Sequence, residues 1–286
     1  MPATQGETDP HVSTSAHLDA RLDADLPAFL EQQYERYDEE AHAVWRILFE
    51  RRMATLRETG SGVFLAGMER IGLEPDRVPE LGDVNRRLAA STGWAAVGVG
   101  GFIPAAQFFR CLARRRFPTT LIVRPRAQLD YLPEPDIFHD VFGHVPLHSD
   151  PVFADFLQRF GALAAGAESE AETTAMARLF WFTVEFGLIR EAGRVRIYGS
   201  GLISSHGDAA NALGPRCERR PFSLDAVLAQ PFEIDHFQDV LFVVDSFEQL
   251  FDAVEQLRAR RTAGDPGARL RAHVAGGARS RTSLAS

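Results

Sequence analysis

The sequence predicts an α+β domain that is mainly α, with a small β component. Three observations carry that expectation. Apolar residues recur at helical spacing in several stretches between residues 26 and 260, the strand-like runs are few and short, and no internal repeat or linker divides that span. A chain of 286 residues therefore reads as one large unit rather than two small ones, and an apolar fraction of 45% is enough to bury a core.

Residues 1–25 are polar and aperiodic and read as a disordered arm. A helical pattern begins after Leu26. In AHAVWRILFERRMATL the residues Val44, Ile47, Leu48 and Met53 fall on one face, and Gly60 and Gly62 close the segment. A helix over Leu81–Ser91 leads to a strand at Ala95–Val99, which runs into Gly98, Gly100 and Gly101. That cluster lacks the spacing of a phosphate-binding loop and suits a tight turn. Residues 104–116 read as helix and Thr119–Val123 as strand. Prolines and a glycine keep YLPEPDIFHDVFGHVPLHSDPVF from forming a long regular element. Helices follow near 151–165 and 172–190, then a β-rich region from Arg194 to Ser205, a strand at Leu241–Val244 and a helix at Phe247–Arg260. The Gly, Ala and Arg-rich segment 261–286 reads as a disordered tail.

The net charge of −8 argues against a nucleic-acid or anionic-membrane partner. The tail from Arg258 carries seven Arg against one Asp, so the rest of the chain is more acidic still. Two cysteines without a CxxC exclude a disulfide scaffold or a thiolate zinc site. The N-terminal sequence has no secretory pattern and no stretch is long enough to span a membrane, so a cytoplasmic protein is expected.

The candidate chemistry lies in two places. His139, His144 and His148 fall within ten residues, accompanied by Asp136 and Asp140, and any two could begin a metal site. On an ideal α-helix His144 and His148 share a face, whereas His139 and His144 stand roughly 140° apart. Pro146 weakens the first pairing, because proline fits poorly inside a helix. A segment distorted near Gly143 would instead turn His139 and His144 to one point. The second place is LFWFTVEFGLI, where Glu185 is the single charge in eleven residues. A carboxylate in so apolar a helix requires a compensating charge, either an Arg or a metal ion. Two His and one carboxylate form the facial set that holds non-heme Fe(II). Zinc is the rival, although HExxH is absent.

These motifs resemble the catalytic domain of the pterin-dependent aromatic amino acid hydroxylases, most closely the short bacterial phenylalanine-hydroxylating branch. The resemblance runs in order through HAVWRILFERR, RRRFPTTLIVRP, YLPEPDIFHDVFGHVPLHSDPVF, LFWFTVEFGLI, RIYGSGLISSHGD and DHFQDVLFVVDSF, covering about residues 35–255. It implies that His139, His144 and Glu185 are the iron ligands and the catalytic centre. It assigns Arg124 to the substrate carboxylate as a bidentate ion pair, with Ser204 beside it and the iron-ligand shell. Tyr131, Pro135, Trp181 and Phe186 would wall the substrate ring. Phe108 would stack on the pterin, Gly101 and Ile103 would contact its edge, and Asp140 would reach it through water. Two departures concern the pterin side: Phe180 stands where relatives usually carry Tyr, and Ala105 and Ala106 occupy a loop that is often polar.

The implied reaction is hydroxylation of L-phenylalanine to L-tyrosine with Fe(II), a tetrahydropterin and dioxygen as co-substrate. Trp181 matches the phenylalanine and tyrosine branches, and Ile234 stands where the tyrosine branch has Asp. The same chemistry on L-tryptophan is the alternative, because an apolar pocket rejects a related ring by only ~1–3 kcal/mol. A two-His-one-Glu zinc hydrolase and a silent binding protein are the other classes. The implied partners are the aromatic amino acid and pterin-recycling enzymes. The expected state is a monomer, since the tail lacks tetramerisation heptads.

Overall fold

The computed structural model describes residues 26–130 and 134–262. The arm over 1–25, the tail beyond 262 and Tyr131 lie outside them. Helix α1 (Glu39–Thr59) is capped by Asp38, whose side chain accepts from the Ala41 amide, and buries Val44, Trp45, Leu48 and Leu56. Gly60 ends this helix as the sequence suggested, its amide donating to the Leu56 carbonyl, whereas Gly62 opens a new one. Ser61 caps a second helix, α2 (Gly62–Ile71), by accepting from the Phe64 amide. Helix α3 (Leu81–Ser91) and strand β1 (Ala95–Val99) stand where they were expected.

The next helix, α4 (Ala105–Ala113), is shorter than predicted, and strand β2 (Arg116–Thr120) begins three residues early. The turn between them places Arg115 at a φ of 54°. Helix α4 is the crossover that parallel pairing of β1 with β2 requires. Helices α5 (Pro151–Ala165) and α6 (Glu170–Phe180) follow. The second sheet has the order β4–β3–β6–β5, with β3 (Leu188–Glu191), β4 (Arg194–Ile197), β5 (Glu218–Pro221) and β6 (Val240–Val244).

The β-rich reading of 194–205 holds only to Ile197. Two short helices, α7 (Ser200–Ser204) and α8 (His206–Leu213), take over where small residues pack closely against Glu185. Helix α9 (Leu224–Ala229) precedes β6, and α10 (Glu248–Thr262) runs two residues past the expected end. Among the described residues no helix is long and apolar enough to cross a membrane.

One continuous core joins these layers, and aromatic rings dominate the part behind the histidines. Phe138 and Phe142 stack on each other at 4.5 Å, and Trp45 and Phe64 meet them edge-on. Burying each such ring contributes about 1.5–3 kcal/mol, which anchors the segment 138–144 in the core.

Two close backbone approaches fix the neighbouring elements. Arg52, almost fully buried, donates to the carbonyls of Ile203 (2.6 Å) and Leu202 (2.9 Å), the free C-terminal acceptors of α7. Gly67 of α2 lies against Pro146, where an added Cβ would come within 2.7 Å of the proline carbonyl carbon. Gly67→Ala must therefore push backbone apart, at a cost of ~1–3 kcal/mol. Thermal unfolding is the measurement, and an unchanged midpoint would refute this packing.

Candidate functional site

Both ligand-bearing segments depart from α-helical winding. Residues Phe138–His144 and Trp181–Glu185 form π-helical turns, whose hydrogen bonds reach five residues back rather than four. In the second, the Phe186 amide donates to the Trp181 carbonyl at 2.8 Å. The Thr183 hydroxyl also donates to the Leu179 carbonyl, competing for an acceptor of the α ladder. In the first, the Asp136 carboxylate accepts the His139 amide at 3.0 Å and starts the turn.

A π turn brings residues five apart onto one face. His139 and His144, roughly 140° apart on an α-helix, accordingly have their Nε2 atoms 3.2 Å from each other. The His144–His148 pairing does not form. His148 is buried against Trp94 (4.7 Å) and Phe117 (4.8 Å), and burial holds it well below its ordinary pKa, as a neutral core histidine.

Glu185 completes the cluster. Its Oε1 lies 3.2 Å from His144 Nε2 and its Oε2 3.7 Å from His139 Nε2. The donor atoms of the three residues all fall within 4.8 Å of one another. Burial alone would raise the Glu185 carboxyl, but His144, His139 and a hydrogen bond from Ser200 outweigh it and hold the group ionised. Burial pushes His139 down to about 4, so its ring is neutral.

Ser204 then decides which nitrogen of His139 carries the proton. Its hydroxyl donates to the Ser200 carbonyl (2.8 Å), so its oxygen accepts from His139 Nδ1 (2.8 Å). The Nε2 lone pair is left facing a carboxylate oxygen and a second imidazole. Such a convergence of lone pairs on one point is stabilised by a cation, and the donor set fits Fe(II). A zinc hydrolase would need a free carboxylate as general base. Of the two carboxylates in the histidine segment, Asp136 is committed to Arg124 and Asp140 accepts from Thr120 through Oδ2.

That last pair refines the expectation for Arg124. Asp136, fully buried, binds it through Nε (2.9 Å) and Nη2 (2.8 Å), so this fork of the guanidinium is taken. On the other side Nη1 donates to the Leu129 carbonyl at 3.5 Å, so one hydrogen of Nη1 and one of Nη2 are left without these partners. Asp136 is thus a partner of Arg124 and no metal ligand. Asp140 accepts from the Thr120 amide (2.7 Å) and hydroxyl (2.8 Å) through Oδ2, and burial pushes it up to about 7.

The aromatic residues divide into two groups. Trp181 lies between Phe186 (4.6 Å) and Phe232, on which it stacks at 4.5 Å. Pro135 is half-buried. Phe108, also half-buried, meets Phe180 edge-on at 5.5 Å, so the Phe180 ring belongs to the Phe108 cluster. Gly101 has a φ of 136° with open space where a Cβ would stand, followed by an exposed Phe102 and a half-buried Ile103.

Sequence reasoning missed Ser200 and Phe232. The first gave a signal in the small-residue run GSG. The second sits in an aperiodic stretch and gave none.

The chain matches the family of biopterin-dependent aromatic amino acid hydroxylases over residues 33–262. It is 43% identical over 245 residues to the phenylalanine-4-hydroxylase of Chromobacterium violaceum, covering 85% of this chain and 82% of the relative. It is 44% identical to that of Ralstonia nicotianae, covering 78% and 72%. The crystal structure of the Chromobacterium violaceum enzyme with bound iron(III) and oxidised 7,8-dihydrobiopterin superposes with a TM-score of 0.78 at 42% identity. That match covers 86% of this chain and 92% of the other. With the fold, the three convergent ligands and these relatives in agreement, the chain belongs to the biopterin-dependent aromatic amino acid hydroxylase family.

Proposed function

We propose that this protein is a tetrahydropterin- and Fe(II)-dependent monooxygenase that hydroxylates L-phenylalanine to L-tyrosine with dioxygen. The observation that carries the reading is the convergence of His139, His144 and Glu185 beside an aromatic wall and a buried arginine. Iron and pterin, when bound, supply the activation of dioxygen. The protein's own residues hold and orient the reactants and keep water away.

Arg124 takes the substrate carboxylate on the edge that Asp136 leaves free, with Ser204 nearby. Trp181, Phe186 and Pro135 wall the substrate ring, backed by Phe232. Phe108 stacks on the pterin, Gly101 and Ile103 meet its edge, and Asp140 reaches it through water by its remaining oxygen. The catalytic unit is residues 26–260, between the polar arm and the Arg-rich tail. The protein works as a cytoplasmic monomer, and its pterin returns to the reduced state through separate recycling enzymes.

The deciding experiment supplies purified protein with Fe(II), tetrahydropterin and air, and offers phenylalanine, tryptophan and tyrosine in competition. Tyrosine formed from phenylalanine is the expected main product. No hydroxylated amino acid in the presence of both cofactors would refute the reading. Arg124→Lys tests the carboxylate site, because an ammonium cannot replace the planar fork. A lost charge-assisted hydrogen bond of ~1.5–3 kcal/mol corresponds to a KM for phenylalanine raised about 10–100-fold. Bound iron should stay unchanged, and an unaltered KM would remove Arg124 from the site.

A further inference from the structure

We propose that Ser200 is a positioning residue for the iron centre: its hydroxyl reserves Oε2 of Glu185 and leaves Oε1 as the single oxygen the carboxylate offers to the metal. This rests on the reading of His139, His144 and Glu185 as the iron ligands.

Ser200 is 1% exposed and its Oγ lies 2.7 Å from Glu185 Oε2, the length of a hydroxyl donating to an ionised carboxylate. A second acceptor, the Val184 carbonyl, is 3.3 Å away. The hydroxyl has one proton, and the nearer, charged oxygen takes it. The other carboxylate oxygen, Oε1, faces His144 Nε2 at 3.2 Å. Oε2 also lies 3.7 Å from His139 Nε2, but the Ser200 hydroxyl is its hydrogen-bond donor, so the two oxygens differ before any metal arrives.

The backbone around Ser200 is shaped for this contact. A Cβ at Gly199 would stand 2.5 Å from the Glu185 carbonyl oxygen, and one at Gly201 3.2 Å from the same atom. Across the gap, a Cβ at Gly143 would meet the Ser200 carbonyl at 3.1 Å and its Cβ at 3.3 Å. Bare residues on three sides let the start of α7 lie against both ligand-bearing segments. Ser200 alone carries a side chain among them, and its one polar atom points at the carboxylate. Packing explains why the residue is small, but an alanine would satisfy that equally well. The hydroxyl answers to Glu185.

A carboxylate with one oxygen held elsewhere binds through the other. When the holding group is lost, both oxygens are free to turn to the metal, and the ligand is less well oriented beforehand. Outer hydrogen-bond partners of metal ligands are typically worth about 10–100-fold in affinity. Spectroscopy can follow the change of coordination independently of turnover.

The test titrates metal-free wild type, Ser200→Ala and Ser200→Thr with Co(II), following heat and visible absorption. Ser200→Ala should bind cobalt about 10–100-fold more weakly, with weaker visible bands as a second carboxylate oxygen raises the coordination number. Ser200→Thr, which keeps the hydroxyl, should retain the wild-type affinity and bands. Circular dichroism and thermal unfolding of the metal-free proteins check that folding is intact. Wild-type affinity and spectrum in Ser200→Ala would overturn the proposal, as would equal weakening in the Ala and Thr variants. If wild type binds cobalt no more tightly than His144→Ala does, the ligand reading itself fails instead.

Discussion

His144→Ala is expected to give a folded protein that retains no iron through gel filtration and forms no tyrosine. His144 supplies one of three donor atoms that lie within 4.8 Å of each other, and it is also the nearest partner of Glu185 Oε1. Its removal leaves one imidazole and one carboxylate, so the affinity should fall by more than the roughly 10–100-fold that a lost outer partner costs. The fold should survive, because Phe138 and Phe142 on the opposite face of the turn anchor it in the core. The paired measurements are iron content by atomic absorption and product by chromatography. Turnover with stoichiometric iron in this variant would show that the metal sits elsewhere.

Asp136→Ala should have the largest effect on stability. The Asp136 side chain is completely buried and accepts from Arg124 Nε and Nη2 and from the backbone amides of Arg124 and His139. Burial works against its charge, but the Arg124 guanidinium and the two amides hold the carboxyl below its usual range. Its stabilising contribution is complete above the ordinary carboxylate pKa of about 4 and is lost as pH falls through the lower folded value. Removing one partner of a buried ion pair strands the other, at a cost of ~3–5 kcal/mol. For a domain of this size that lowers the unfolding midpoint by about 6–20 °C. Asp136→Asn, which keeps an acceptor but not the charge, should lose less. A midpoint within a degree or two of wild type for the alanine variant would disprove the ion pair's structural role. Because the same side chain orients Arg124 and starts the turn that carries His139, the KM for phenylalanine should rise as well.

How far the sequence reveals this architecture depends on which physical rule governs each element. Helices α1 and α3 follow from apolar periodicity, because each buries one face against the core. Glu185 stood out because a lone charge among ten uncharged residues demands a partner. The identity of that partner was less legible. Helical geometry favoured His144 with His148, and the correct pairing of His139 with His144 depends on a winding that no propensity reports. The stretch 194–205 misled for a related reason. Its strand ends at Ile197 although Ile203 is also β-branched, and Gly199 and Gly201, which look like turn residues, serve instead to bring α7 against Glu185. Arg124 was recognisable by resemblance, but Asp136 as its partner was not, since ion pairs twelve residues apart leave no periodic trace. Phe232 is similar: its stack on Trp181 is a tertiary fact only.

The two π turns make the metal centre sensitive to chain length as well as to side-chain chemistry. Each turn holds one residue more than an α turn would, and an α-helix rotates by roughly 100° per residue. Deleting one of the other residues within 138–144 or 181–185 would let the regular ladder close and would swing a donor off the common point, even with His139, His144 and Glu185 all still present. Many substitutions along these segments can leave the donors aligned, whereas no change in their length can. The register of the backbone is therefore as much a part of the proposed iron site as the three side chains assigned to the metal.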